Sequence, residues 1–282
     1  HLPENTTPAL VHNDFRNGNV MIDVSGIVAV LDWEVAYIGD PMRDLGWILT
    51  HSWRFGRDDL PVGGFGEVAD LFAGYESVSG TSVDPEAVRF WQIFGSFWWS
   101  VGCLGMAEHY RNGPDKTVER PAVGRRSSEC QVDCVNLLIP GSVVLEQPQA
   151  AAAAMPGMDE LLTSVSDFLR DDVMTHTQGR LQFLARVAAN SLDIVKREQT
   201  LAAPCLVNEE KRLRELFSER EDSTLALDDL RWRLVYALRD GSMVLDSELL
   251  HAHLRATVVN QIAIDQPRYA GFKTATSEAN TT

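Results

Sequence analysis

The sequence comprises 282 residues, 45% hydrophobic and 23% charged, a composition that supports a packed core and excludes a disordered or fibrous chain. Its formal net charge of −15, from 25 Lys and Arg against 40 Asp and Glu, leaves no cationic surplus for a phosphate backbone, so no nucleic-acid partner is expected. No apolar run reaches the roughly 20 residues of a membrane span and no signal-like segment opens the chain; the expected setting is cytoplasmic, with no membrane contact.

The length suits two domains. The chain opens on His1, not methionine, and enters motif-bearing sequence at once, which reads as a fragment or processed piece. Its first informative stretch is LVHNDFRNGNVMID, residues 10–23. VMID and the following IVAVLDW are rich in β-branched residues and are separated by Val24, Ser25 and Gly26, which predicts a short hairpin, the one clear β signal. From Asp40 the periods become helical: Asp40 is an N-cap candidate, Pro41 suits the first turn, and Leu45, Ile48 and Leu49 make the apolar face.

Two helices follow, over FGEVADLFAGYESVSG and DPEAVRFWQIFGSFWWSVGCLGMAEHYR. The second carries Trp91, Phe94, Trp98 and Val101 along one side, which predicts a buried central helix and not a ligand platform. A loop with basic residues Arg120, Arg125 and Arg126 leads to a helix over SSECQVDCVNLLIPG. Cys103, Cys130, Cys134 and Cys205 form no C-x-x-C pair and read as buried free thiols.

EQPQAAAAAMPG marks a linker. Beyond it lie four apolar stripes: Leu161, Val165, Phe168, Leu169; Leu181, Leu184, Ala188, Leu192, Val195; Leu227, Leu230, Leu234, Leu238; and Leu250, Leu254, Val258, Ile262. With a shorter helix over NEEKRLRELFSER they predict a bundle of about five helices. Arg186, Asn190 and Arg197 share one helix face with Glu198 beside it, a solvated face with local ion pairs, while His251 and His253 point apart and cannot share a metal. The boundaries are 1–146, a linker at 147–157, the bundle at 158–270 and a disordered tail at 271–282.

The chemistry concentrates early. Asp14 and Asn19 have the D-x-x-x-x-N spacing of a phosphoryl-transfer loop, in which an aspartate orients and deprotonates a hydroxyl and an asparagine oxygen holds magnesium. The hairpin then returns the chain to Asp32, a second hard oxygen ligand, and magnesium needs few protein ligands. H-x-D alone is weak; H-x-D-x-x-x-x-N, a hairpin, L-D-W-E and G-D-P-x-x-D in that order are a strong combination.

By LVHNDFRNGNVMID, AVLDWEVAYIGDPMRDLGW and SWRFG, residues 9–146 resemble the C-terminal lobe of the aminoglycoside phosphotransferase and choline kinase-like family, in the branch related to the kinase-like part of certain acyl-CoA dehydrogenases. The implied fold class is mainly α: a protein-kinase-like C-terminal lobe with one short β-hairpin, followed by the all-α bundle. The resemblance implies that Asp14 is the catalytic base, that Asn19 and Asp32 hold magnesium and thereby the cofactor ATP, that His12 braces the loop, and that Glu34 assists a second metal. Asp40 and Asp44 would buttress the site from the next helix, with Asp40 also read as a cap. Most relatives have glycine where this chain has Asn13.

The family's N-terminal lobe supplies the nucleotide clamp, for which nothing before Leu10 has room, so this piece alone is expected to show little or no activity. Residues 158–270 resemble an uncharacterised helical domain associated with these phosphotransferases. The expected function is an ATP-dependent kinase of a small hydroxylated molecule, with a link to acyl-CoA metabolism by analogy. The alternative is a non-catalytic scaffold built on the same lobe.

Overall fold

The expected hairpin forms in the computed structural model, which describes residue 3 and residues 7–148, 157–218 and 224–277. Strand β2 (Val20–Asp23) pairs antiparallel with β3 (Gly26–Val30), with a register irregularity between Met21 and Ile22. Gly26 takes φ +114°, a value open to glycine, and Asp23 Oδ1 accepts from the Ser25 amide at 2.7 Å and hydroxyl at 2.6 Å.

A second antiparallel pair, unpredicted, joins β1 (Ala9–Val11) to β4 (Tyr37–Gly39), with Leu10 opposite Ile38. Three-residue strands are too short to show a period of two. Their pairing closes residues 12–36 into a loop-and-hairpin excursion with both ends fixed.

Asp40 caps α1 (Met42–Ile48) as expected, its Oδ1 accepting the Met42 amide at 2.9 Å. Asp84 does the same for α3 (Pro85–Asn112), accepting from the Glu86 amide at 3.0 Å. Between them lies α2 (Val68–Ser79). Met42, Leu45, Ile48, Leu49, Val62, Val83, Ala87 and Val88 form the core that joins these helices. At Gly46 the α1 and α3 backbones meet so closely that a Cβ would lie 2.7 Å from the Val88 carbonyl. No larger residue fits there without moving a helix.

The long helix α3 corrects the sequence reading. Its inward positions are the small Gly95, Ser96, Ser100 and Cys103, whereas Phe97, Trp98 and Val101 are 57%, 37% and 51% exposed. Small residues let α3 approach its neighbours closely, and its large rings turn to one side. The "basic loop" is also a helix, α4 (Glu119–Arg125), and its arginines are taken: Arg120 pairs with Asp115, Arg125 with Asp265 and Glu198, Arg126 with Glu129. All four cysteines are free; Cys103 and Cys130 are buried, Cys134 and Cys205 partly so.

Helix α5 (Ser127–Leu138) is the seam of the molecule. Its Val132 packs with Val259, Ile262 and Ala275 from the helical half, each of these four completely buried. The chain from 141 to 148 has no regular structure, yet Val143 and Leu145 pack on this cluster and Arg212 pairs with Glu146 at 3.6 Å. The first residues of the expected linker, 147 and 148, lie in this stretch; residues 149–156 are outside the described part.

The helical half comprises α6 (Met158–Asp167), a π-helical turn at Phe168–Val173, α7 (Met174–His176), α8 (Gly179–Leu216), α9 (Leu227–Arg239), α10 (Glu248–Asp265) and α11 (Ala270–Thr276). The stripes on α9 and α10 bury as expected around Leu230, Leu234 and Leu250, with Leu213 of α8. Those starting on α6 and on α8 bury only in part: Leu161, Val165, Phe168, Leu181 and Val195 are exposed, Leu169, Leu184, Ala188 and Leu192 are half-buried, and on α8 Ala185 and Ala189 face inward. NEEKRLRELF is no separate helix but the end of the 38-residue α8, which continues through Pro204. The tail expected from residue 271 is also corrected: α11 runs to Thr276 with Gly271 and Ala275 buried, and residues 278–282 lie outside the described part. No helix of the described residues is long and apolar enough to cross a membrane.

Candidate functional site

The loop after β1 is held from two directions. Asp44, in the first turn of α1, accepts the His12 and Asn13 amides at 2.7 and 2.8 Å. Burial pushes its carboxyl pKa upward, opposed by those two amides. From the other side the His12 ring bridges outward. The Asp14 amide donates to its Nδ1 at 3.1 Å, so the ring proton sits on Nε2, which donates to the Leu31 carbonyl at 2.7 Å. The His12 ring thus ties the loop to the residue before Asp32.

Asn13 has φ +68°, a left-handed conformation that asparagine tolerates better than most residues and glycine best of all. Its side chain is held at both ends: Nδ2 donates to the Val35 carbonyl at 3.1 Å, and Oδ1 accepts from Arg43 Nε.

Asp14 is gripped on both carboxylate oxygens. Oδ1 accepts from Trp47 Nε1 at 2.9 Å and from Arg16 Nε at 3.1 Å, and Oδ2 accepts from Asn19 Nδ2 at 2.7 Å. The same Asn19 nitrogen donates to the Asp14 carbonyl at 2.9 Å. With both bonds on nitrogen, the Asn19 amide oxygen is the end left for another partner. The Leu31 amide donates to the Asn19 carbonyl at 2.8 Å, which sets Asp32 one residue beyond the point where the strands meet. Asp32 is exposed, with φ +60° and ψ +55°; such a conformation away from glycine is strained and is common at functional positions.

Glu34 lies two residues on, exposed in the short turn Trp33–Val35. Asp40 is committed to the α1 cap and to Trp91 Nε1, 2.6 Å away. Among the described residues no three His, Cys, Asp or Glu side chains gather as a metal cluster; the expected magnesium set names one amide oxygen, of Asn19, with the carboxylates of Asp32 and Glu34. His253 is buried and held neutral, its pKa pushed down to about 4 chiefly by desolvation, while His251 bonds the Leu245 carbonyl at 2.7 Å. Arg197 caps the end of α10 through the Ile264 and Asp265 carbonyls, and Asn190 accepts from Arg170.

Three residues of this network escaped the sequence reading. Trp47 holds Asp14, Arg43 holds Asn13, and Asn17 Nδ2 fastens the loop to the Gly63 carbonyl at 2.9 Å. Trp47 and Arg43 sit in the quoted GDPMRDLGW stretch, and an indole on an otherwise aliphatic helix face is the signal that points to a buried acceptor.

Residues 1–81, which include this loop, match the model of the phosphotransferase enzyme family. Residues 175–269 match a domain of unknown function, DUF6285, so the chain joins the two. Over 49 residues it is 41% identical to acyl-CoA dehydrogenase family member 10 of Mus musculus, a stretch covering 17% of this chain and 5% of that protein. No solved structure matches the chain.

Proposed function

We propose that the chain contributes the base and metal ligands of an ATP- and magnesium-dependent phosphotransferase acting on a small-molecule alcohol. The observation that carries the reading is the coupling of Asp14 to Asn19: one amide nitrogen bonds both the carboxylate and the carbonyl of Asp14, so base and metal ligand are set by one another.

Magnesium prefers hard oxygens and keeps much of its shell for phosphate and water. The Asn19 amide oxygen and the exposed Asp32 carboxylate suit it, with Glu34 the nearest further carboxylate in the chain. Bound magnesium-ATP supplies the phosphoryl group and offsets the charge that builds on it. Asp14 orients the acceptor hydroxyl and takes its proton as the oxygen–phosphorus bond forms and the bond to the leaving nucleoside diphosphate breaks. Arg16, whose side chain is 26% exposed, is the donor on Asp14 that an incoming hydroxyl can replace. Trp47, buried, stays and fixes the carboxylate.

The match to the phosphotransferase family supports a hydroxylated small molecule as acceptor, and the likeness to the mouse protein supports a partner in acyl-CoA metabolism. One observation favours a docking module without turnover, since both Asp14 oxygens are already occupied. Phosphate transfer from magnesium-ATP to a panel of hydroxylated metabolites by the full-length protein separates the two. Transfer abolished by Asp14→Ala supports the enzyme with Asp14 as its base, transfer that survives the substitution overturns that role, and no transfer by the unmodified protein supports the docking module.

A further inference from the structure

Two buried polar atoms meet at the α5 seam without hydrogen-bond partners. His51, in the turn after α1, accepts at Nε2 from Arg54 Nη1, 3.1 Å away; a guanidinium only donates, so the ring proton sits on Nδ1. That Nδ1 is buried without a partner, 3.9 Å from Asp133 Oδ1, which is likewise buried without one. The other Asp133 oxygen accepts from the Tyr269 hydroxyl at 2.6 Å. Oδ1 keeps its space because residue 271 is glycine, where a Cβ would lie 2.7 Å from it. Buried polar atoms left unbonded cost stability, and 3.9 Å is too wide for a direct bond but suits one oxygen shared between the two.

His51 and Tyr269 line a cavity of about 550 Å³ whose walls come from both matched segments, Phe55 and Asp58 with His51 from one, Gln266 and Arg268 with Tyr269 from the other. Phe55, Asp58, Arg268 and Lys273 are exposed, so a small molecule reaches it from solvent. Its charges favour an anion. Glu129 is taken by Arg126 at 3.1 Å, which leaves one exposed carboxylate, Asp58, against Arg268 and Lys273, two cations with no carboxylate partner among the described residues. Burial keeps His51 and Asp133 largely neutral near pH 7. With the Tyr269 hydroxyl on Oδ2, the Asp133 proton falls to Oδ1, so both facing atoms are donors. We propose that this cavity binds a small oxyanion, a carboxylate or a phosphate, with one oxygen between His51 Nδ1 and Asp133 Oδ1 and its charge met by Arg268 and Lys273. A buried water fills the inner gap equally well; the two cations are what call for charge. Such a ligand ties the two matched segments together and needs neither nucleotide nor turnover.

The test is NMR of the full chain carrying nitrogen-15-labelled histidine, titrated near pH 7 with inorganic phosphate and, separately, with acetate, the ionic strength held constant with sodium chloride. At least one anion should move the His51 Nδ1 resonance saturably. His253, also buried with its Nδ1 unpartnered but not part of this cavity, should stay in place. A double variant, Arg268→Ala with Lys273→Ala, removes only exposed side chains and should weaken binding at least about tenfold. A response to acetate alone assigns a carboxylate ligand, and a response to phosphate alone a phosphorylated one. A His51 resonance that neither anion moves would assign the gap to water and overturn the proposal. Equal shifts at His51 and His253, or binding that the double variant leaves unchanged, would overturn it too. The readout involves neither Asp14 nor phosphate transfer, so failure of this site and failure of the enzyme reading stay distinguishable.

Discussion

The polar residues of the Asp14 loop and those of the α5 seam are both densely hydrogen-bonded, but they are solvated in opposite ways. In the loop exposure is graded: His12 and Asn19 are 3% exposed, the Asp14 side chain 23%, and Asp32 lies on the surface. At the seam the titratable groups themselves are enclosed. Asp133 is 1% exposed and accepts from the Tyr269 hydroxyl at 2.6 Å, and Asp265, 5% exposed, is held by Arg125 at 2.6 Å. Desolvation pushes the Asp133 carboxyl up to about 8 and the neighbouring His51 down to about 4. A displaced pKa here reports burial of a junction between two helical assemblies, and exposure is the better guide to where a ligand can react.

The largest effect expected is on the loop side. Asp14→Ala in the full-length protein should lower phosphate transfer by about a thousandfold or more while the protein stays folded, its stability reduced by about 1–3 kcal/mol because the buried Trp47 indole loses its acceptor. A rate loss explained by unfolding would erase the contrast with the seam.

At the seam the corresponding variant is Asp133→Asn, which keeps an acceptor for Tyr269. The folded carboxyl keeps its proton up to about 8, whereas the ordinary value is 3.8, so the folded state binds more protons between these values. Its contribution to stability is therefore full below about pH 4 and is lost as pH rises through 8. His51 and His253, both lowered to about 4 from 6.5, act oppositely and only below pH 6.5. That leaves pH 6.5–8 as the window in which Asp133 acts alone among these three. Over it the wild type should lose roughly 2 kcal/mol relative to Asp133→Asn in urea unfolding; parallel pH profiles would show that this carboxyl is ionised throughout.

Arg125→Ala should cost about 1–3 kcal/mol, discounted because the arginine is 34% exposed, and should do so by leaving Asp265 buried without its cation. Loss of the same size in an Arg125→Ala, Asp265→Asn double variant would locate the cost in Glu198 instead.

The two regions also differ in how far the sequence announces them. The loop's geometry is legible because it depends on local spacing: Asp14 and Asn19 are five positions apart, the hairpin between Val20 and Val30 has its glycine, and Asp40 precedes proline. What was hidden depends on sequence-distant contact. Trp47 reaches Asp14 across 33 positions and Tyr269 reaches Asp133 across 136, and no periodicity encodes either. The same limit explains α3: its helical period was visible, but Ser96, Ser100 and Cys103 face inward because a neighbour lies too close for rings. NEEKRLRELF reads as a separate helix, but α8 runs on into it through Pro204 and packs against α10.

The smallest effect expected tests the loop at its most local feature. Asn13 combines a left-handed backbone, where glycine is at ease, with two side-chain bonds that glycine lacks. Asn13→Ala loses both the bonds and the tolerance for φ +68°, and should destabilise by about 1–2 kcal/mol. Asn13→Gly keeps the backbone conformation and should cost less, about 0.5–1 kcal/mol for the lost hydrogen bonds. Chemical denaturation of the three proteins orders them wild type, glycine, alanine. Alanine no worse than glycine would mean that backbone strain contributes nothing here, and that Asn13 serves the loop only through its hold on Val35 and Arg43.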